Sequence, residues 1–196
     1  MKTQTGFSLI EVLVTLILVT TGVLGMVAMQ SRSIHYTQES IQRNAAVDLT
    51  NQLIEIMRAN PQLIFDTLPP AQPVSGGLKT TSIFYKAQGK DFNPAPKIPV
   101  SGACIAPSTP LLQRDCWVEQ VKRRLPNATA LLNANVYICR SPAPTVTSNP
   151  TCDAIGSATT GSALEIQLAW RVKSGECPDD RAPNETTCIY RTRVEL

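Results

Sequence analysis

Gly6-Phe7-Ser8-Leu9-Ile10-Glu11-Val12-Leu13-Val14 is the stretch whose reading decides the fold. It opens an apolar run over residues 7–29 in which Glu11 is the single charged side chain. A run of that length suffices for a membrane-crossing helix, which needs about 20 apolar residues. A carboxylate inside such a span costs roughly 2.5–3.5 kcal/mol near its centre, so it is read by default as a functional group with a partner. A cut between Gly6 and Phe7 supplies that partner, because it exposes an α-ammonium four residues before Glu11, at the same depth. Two opposite charges that are each costly in lipid gain by meeting between subunits.

The hexapeptide Gly6-Phe7-Ser8-Leu9-Ile10-Glu11 resembles the processing site of type IV prepilins and pseudopilins. The resemblance implies that a dedicated prepilin peptidase cuts after Gly6 and N-methylates Phe7. It also implies that Glu11 is the assembly residue, pairing with the terminal amine of a neighbouring subunit. Two plainer readings fit less well. A secretory signal peptide with Lys2 as its basic region has an apolar core of about 7–15 residues and an A-x-A-like cleavage site. This run is longer, carries Glu11 and offers only Met26-Val27-Ala28 as a poor match. A simple signal anchor leaves Glu11 without a purpose.

Beyond the run, 196 residues suit one domain plus an anchor. The net charge of +3 arises entirely after residue 60, since residues 1–60 carry four basic and four acidic side chains. Such a mild excess does not argue for nucleic acid. Fifteen prolines and few aromatics point to a loop-rich distal domain with a modest core. All six cysteines follow the apolar run, an even count that reads as a disulfide set in an oxidising compartment. Zinc is disfavoured, for there is no C-x-x-C and His35 is the only histidine. Six cysteines allow 15 connectivities. Their order in three near pairs favours Cys104–Cys116, Cys139–Cys152 and Cys177–Cys188, each loop stabilising by about 3 kcal/mol in the chain-entropy model.

Residues 1–6 read as a leader that is lost, and 7–29 as the transmembrane half of a spine helix. Thr20-Thr21-Gly22 and Gly25 weaken it locally. In the resembled filaments this part of the helix melts, while close packing through small residues is the alternative. Residues 30–60 continue the helix amphipathically, with Ile34, Ile41, Ala45, Leu49, Leu53 and Ile56 on one face and Asn60-Pro61 as the stop. The helix over 7–60 would span about 80 Å at 1.5 Å per residue. His35, near the juncture of the halves, reads as a solvated surface residue.

Residues 61–196 then form an α+β globular domain. A turn-rich linker over 68–77 leads to a short strand at 81–85. Thr109-Pro110 starts a second helix over 110–125 with Trp117 against the core. Residues 135–140 form a strand. Residues 163–173 alternate as a half-buried strand, with Leu164, Ile166, Leu168, Trp170 and Val172 inward and Glu165, Gln167 and Arg171 outward. Residues 187–196 alternate too, and the Cys177–Cys188 turn makes these last two an antiparallel hairpin. Two strands alone are marginal, so the sheet needs the spine as cover.

Catalytic, phosphate-binding and metal-binding motifs are missing, and no cofactor is expected. Asp179-Asp180 reads as a solvated turn. Lys122-Arg123-Arg124 suits the negative end of a helix dipole, and a nucleic-acid role on that footprint is a minor alternative. Asn127-Ala128-Thr129 and Asn184-Glu185-Thr186 match a glycosylation sequon that is frequent by chance.

The fold class is therefore α+β and type IV pilin-like: a long helical spine on an antiparallel sheet, stapled by disulfides. Within the prepilins the chain is similar to the minor pilin family called PilV. The similarity lies in Glu11-Val12-Leu13-Val14, Gly22-Val23-Leu24-Gly25-Met26 and Met57-Arg58-Ala59-Asn60-Pro61. It extends to Trp117, Arg124-Leu125-Pro126 and Ala169-Trp170-Arg171. It implies a non-enzymatic subunit of the bacterial inner membrane and then of the cell-surface pilus. Its partners would be other minor pilins, the major pilin, the inner-membrane assembly machinery and a tip adhesin. A minor pseudopilin of a type II secretion system, or a pilus-displayed module binding DNA or a surface, are the alternatives. A membrane-anchored periplasmic enzyme is disfavoured by the missing catalytic set.

Overall fold

The computed structural model describes residues 8–66, 68, 79, 81–140, 164–174, 177 and 182–196. The chain falls into two compact units, Met1–Ile41 and Gln42–Leu196. Helix α1, Leu9–Arg58, contributes to both.

Within the first unit, α1 exposes its apolar side chains all round, from Leu9 to Met29. A helix that is apolar on every side is one suited to a buried or membrane environment. The three threonines between Leu9 and Met29 are already satisfied by the helix itself. Thr15 donates to the Val12 carbonyl at 2.9 Å and Thr20 to Ile17 at 2.9 Å, while Thr21 reaches the Ile17 and Leu18 carbonyls. Such back-bonding needs no water, as a lipid environment demands. The helix runs unbroken through Gly22 and Gly25, where an added Cβ would meet no atom within 4 Å.

In the second unit α1 becomes one-sided. Ala46, Leu49, Thr50, Leu53 and Met57 are buried, at helical spacing. The buried stripe differs from the expected one. Ile34 and Ile41 are exposed, and Ala45 and Ile56 lie at its edge. Periodicity finds a face wherever apolar residues recur, but only the segment from Ala46 onward has a globular body to cover it. The α-helix stops at Arg58, two residues before Asn60-Pro61, and a 3₁₀ turn, Pro61–Leu63, follows. Asn60 secures this end, its Nδ2 donating to the Ile56 carbonyl at 2.8 Å and to Gln113 Oε1 at 3.1 Å.

Helix α2, Pro110–Arg124, starts on Thr109, whose hydroxyl oxygen accepts from the Leu112 N–H at 3.2 Å, with Pro110 at the first turn. It buries Trp117, Val118 and Val121. A short helix α3, Ala128–Leu131, enters through Asn127 in the left-handed region (φ 52°). A helix of one turn is too short to leave a periodic signal in the sequence.

Three strands form an antiparallel sheet in the order β1–β2–β3: Tyr137–Arg140, Leu164–Arg171 and Thr187–Val194. β2 and β3 pair over eight residues, from Leu164 with Val194 to Arg171 with Thr187. The expected strand at 135–140 begins later, because the Asn135 and Val136 N–H groups are taken by the Leu131 carbonyl. The expected strand at 81–85 does not form. Ser82 turns the chain there, its carbonyl accepting from the Tyr85 N–H and its hydroxyl from the Phe84 N–H, and only Lys86 bridges to Ile138. β2 is buried on both faces rather than half-buried, with Glu165 and Gln167 as inaccessible as Ile166 and Leu168. One apolar cluster joins Leu49, Leu53 and Met57 of α1 to Trp117 and Val121 of α2 and to Ile166, Leu168 and Ile189 of the sheet.

Disulfides join Cys104 to Cys116 (Cα–Cα 5.6 Å) and Cys177 to Cys188 (5.3 Å). The first fastens a loop to α2 and the second closes the β2–β3 hairpin. Cys139 of β1 is also disulfide-bonded. Cys152 lies outside the described residues, as do Gly6, Phe7, Asp179, Asp180 and most of the proline-rich linker.

Candidate assembly site and the buried charges of the distal unit

The first turn of α1 begins at Ser8, whose carbonyl accepts from the N–H groups of Glu11 at 3.0 Å and Val12 at 3.3 Å. Glu11 is thereby fixed in the first turn. There the positive end of the helix dipole favours a carboxylate. Glu11 is exposed, flanked by exposed Ile10, Val12 and Val14. No hydrogen bond or ion pair to its carboxylate occurs among the described residues. Chemically the arrangement is an acceptor on an apolar surface, suited to a cation brought by another molecule.

The distal unit keeps its buried charges occupied. On the sheet, Glu165 Oε1 accepts from the Tyr137 hydroxyl at 2.6 Å and forms an ion pair with Arg191, whose Nε lies 3.3 Å away. Arg191 also donates to Gln167 Oε1 at 2.9 and 2.7 Å, and Gln167 Nε2 donates to the Asn135 carbonyl at 2.8 Å. These contacts explain how β2 carries polar residues on a buried face, since buried polar groups must find partners. At the start of α2, Arg114 chelates Asp115 Oδ1 through Nε (3.0 Å) and Nη2 (2.6 Å). Its Nη1 donates to the Ile83 carbonyl at 3.0 Å, and the guanidinium lies 5.2 Å from the Phe92 ring centroid. None of these networks is legible from sequence alone. The only signal is charge at positions that alternate with apolar ones, which ordinarily means solvent.

The basic run at the end of α2 is largely spent within the chain. Lys122 and Arg123 reach Glu119 at 3.8 and 3.1 Å, and Arg124 pairs with Asp48 of α1 at 2.5 Å. Asn184 of the second sequon turns the chain into β3, its Oδ1 accepting from the Thr186 N–H and hydroxyl at 3.0 and 2.9 Å.

Lys86 is buried, with its ammonium donating to the carbonyls of Val136 (2.7 Å), Asn133 (3.1 Å) and Ala87 (3.5 Å). Burial lowers its pKa from 10.5 to about 8, with nearby Asp91 opposing the fall. The unfolded chain therefore holds this proton more tightly than the folded one. Stability contributed through Lys86 should rise with pH between about 8 and 10.5 and stay constant below that window. We expect the difference in urea midpoint between the native chain and Lys86→Met to grow in favour of the native chain from pH 8 to pH 10. A difference that stays flat over that range contradicts the assignment.

Comparison with known families adds to this geometry. Residues 1–27 match the family model of the prokaryotic N-terminal methylation motif. Residues 28–68 match that of the type IV pilin Tt1218 family. No curated protein and no solved structure matches the chain. α1 is long and apolar enough to cross a membrane, which fits a membrane-anchored pilin that enters pili. A methylation motif running directly into a type IV pilin segment supports a pilin subunit, a structural class and not an enzyme family.

Proposed function

We propose that this chain is a minor type IV pilin. It is cut between Gly6 and Phe7 by prepilin peptidase and methylated on Phe7. Residues 7–29 hold it in the inner membrane as a single span. There it joins other minor pilins, primes pilus assembly with the inner-membrane machinery, and enters the filament at or near its tip, in support of adhesion and twitching motility. The observation that carries the reading is Glu11, the lone carboxylate in the first turn of an exposed apolar helix, inside the matched methylation motif.

Mass spectrometry of the N-terminal peptide from the membrane fraction tests the root of this proposal. The expected peptide starts at N-methylated Phe7; an intact Met1, or a start near Met29, overturns it. Glu11→Ala should leave cleavage and insertion intact while lowering copurification with other pilins by about tenfold, equivalent to about 1.4 kcal/mol. Unchanged copurification would take the assembly role from Glu11. Deletion of the chain should abolish twitching. Loss of protein secretion in its place would move it to a type II secretion machine.

A further inference from the structure

The two disulfides whose partners are both described sit in opposite surroundings. Cys188 is 2% exposed and belongs to the apolar cluster, and half-buried Cys177 packs against the same cluster. Cys104–Cys116 stands outside it. Cys104 is exposed on a loop, while Cys116 is buried in α2. Both line an open cleft of about 360 Å³ between that loop and α2, which Ser101, Glu119 and Arg123 also border. Consecutive residues of α2 hold the loop at two points. At its start the Lys97 N–H donates to Asp115 Oδ2 at 3.1 Å, a first clip. The Cys104–Cys116 bond is the second clip. Only the second can be opened by thiol chemistry.

We propose that Cys104 is a site of reversible S-thiolation by a small thiol that carries carboxylates. Thiol–disulfide exchange depends on access to the attacked sulfur, and exposed disulfides are the labile ones. Attack here comes from the open side. The thiolate sulfur of the small thiol bonds to Cys104 Sγ as the Sγ–Sγ bond breaks, and the electron pair leaves on Cys116 Sγ, which takes a proton from water. A mixed disulfide on Cys104 and a free thiol at Cys116 result, with no reagent beyond the thiol. Cys116 stays in place on α2 as the resolving thiol, and its thiolate re-forms the original bond by the reverse step. The cleft also fits this reagent. Its volume lies within the roughly 300–1,000 Å³ of small-molecule sites. Glu119 at its edge is paired with Arg123 at 3.1 Å and with Lys122 at 3.8 Å, so two cations answer one carboxylate. The positive excess favours a thiol that arrives with negative charge. Exchange would release the far end of the loop while the Lys97–Asp115 clip still holds its start.

The site does not depend on how the N-terminus is processed, and glutathione is the probe that tests it. The detergent-solubilised full-length chain is incubated with reduced glutathione, quenched in acid, alkylated and mapped by peptide mass spectrometry. Glutathione should appear on Cys104, with Cys116 alkylated in the same molecules, faster than on any other cysteine by about tenfold or more. Cys177–Cys188 staying oxidised reports that the fold is intact. Arg123→Gln, at an exposed position, should slow the reaction with glutathione about threefold and leave that with neutral 2-mercaptoethanol unchanged. Glutathione first on Cys116 or on Cys177, or equal rates at the two bonds, overturns the site. Equal slowing with both thiols, or none with either, overturns the selection of a carboxylate-bearing thiol.

Discussion

Trp117→Ala should destabilise the distal unit by about 3–5 kcal/mol, the range for truncating a buried aromatic to a methyl group. Trp117 is 1% exposed and sits where α2 meets the inner face of α1. Its indole N–H donates to the Leu49 carbonyl at 2.7 Å, so one side chain both fills the core and ties the spine to the globular body. The two contributions are separable. Leu49 keeps its helical partner when the indole goes, because the carbonyl of residue i accepts from residue i+4. Losing the hydrogen bond alone should therefore cost only about 0.5–1.5 kcal/mol. Trp117→Phe should fall near that lower figure plus a small cavity term, and Trp117→Ala well beyond it. Urea unfolding of the detergent-solubilised chain, followed through the fluorescence of buried Trp170, measures both. Equal losses for the two variants would show that the hydrogen bond, not the packing, dominates.

Trp117 also marks how far the sequence could be read. Its helix was legible because Thr109-Pro110 is a local start signal and Leu111, Val118, Val121 and Leu125 repeat at helical steps. β2 and β3 were legible because strict alternation of apolar and polar residues suits a strand and spoils a helix face. What alternation does not tell is whether the second face is wet. Glu165 and Gln167 look like solvent-facing residues, yet each is buried and partnered across the sheet, Glu165 Oε1 by Tyr137 and Gln167 Oε1 by Arg191. Those partners come from strands 28 and 24 residues away, so no local pattern predicts them. The strand expected at 81–85 failed for the opposite reason. Its β-favouring composition is real, but Ser82 offers the backbone a turn that competes locally. Of the candidate site, Glu11 was legible from the physics of a charge in an apolar run.

Arg114→Ala is the second large effect expected, and here the sequence offered no warning. Neighbouring residues on a helix do not face each other, so Arg114 and Asp115 do not look like a pair. The structure folds the guanidinium back onto Asp115 Oδ1 in a completely buried setting, under the Phe92 ring and against the Ile83 carbonyl. Deleting the arginine leaves a buried carboxylate whose remaining partner is the Lys97 N–H. Removing one member of such a pair costs about 3–5 kcal/mol, because the stranded charge keeps its desolvation penalty. Arg114→Ala with Asp115→Ala should therefore cost less than the sum of the single changes, by about 1–3 kcal/mol of coupling. Additive losses would mean that the two side chains act independently. The single variant should also be felt along the loop that Asp115 clips. Hydrogen exchange at residues 97–103 should quicken in Arg114→Ala, since an unpaired Asp115 gains by turning toward water and releasing Lys97. Cys104 would stay fastened through Cys116, so the loop should loosen from its first clip and not from its second. Protection unchanged over 97–103 would show that the disulfide alone sets the shape of this loop.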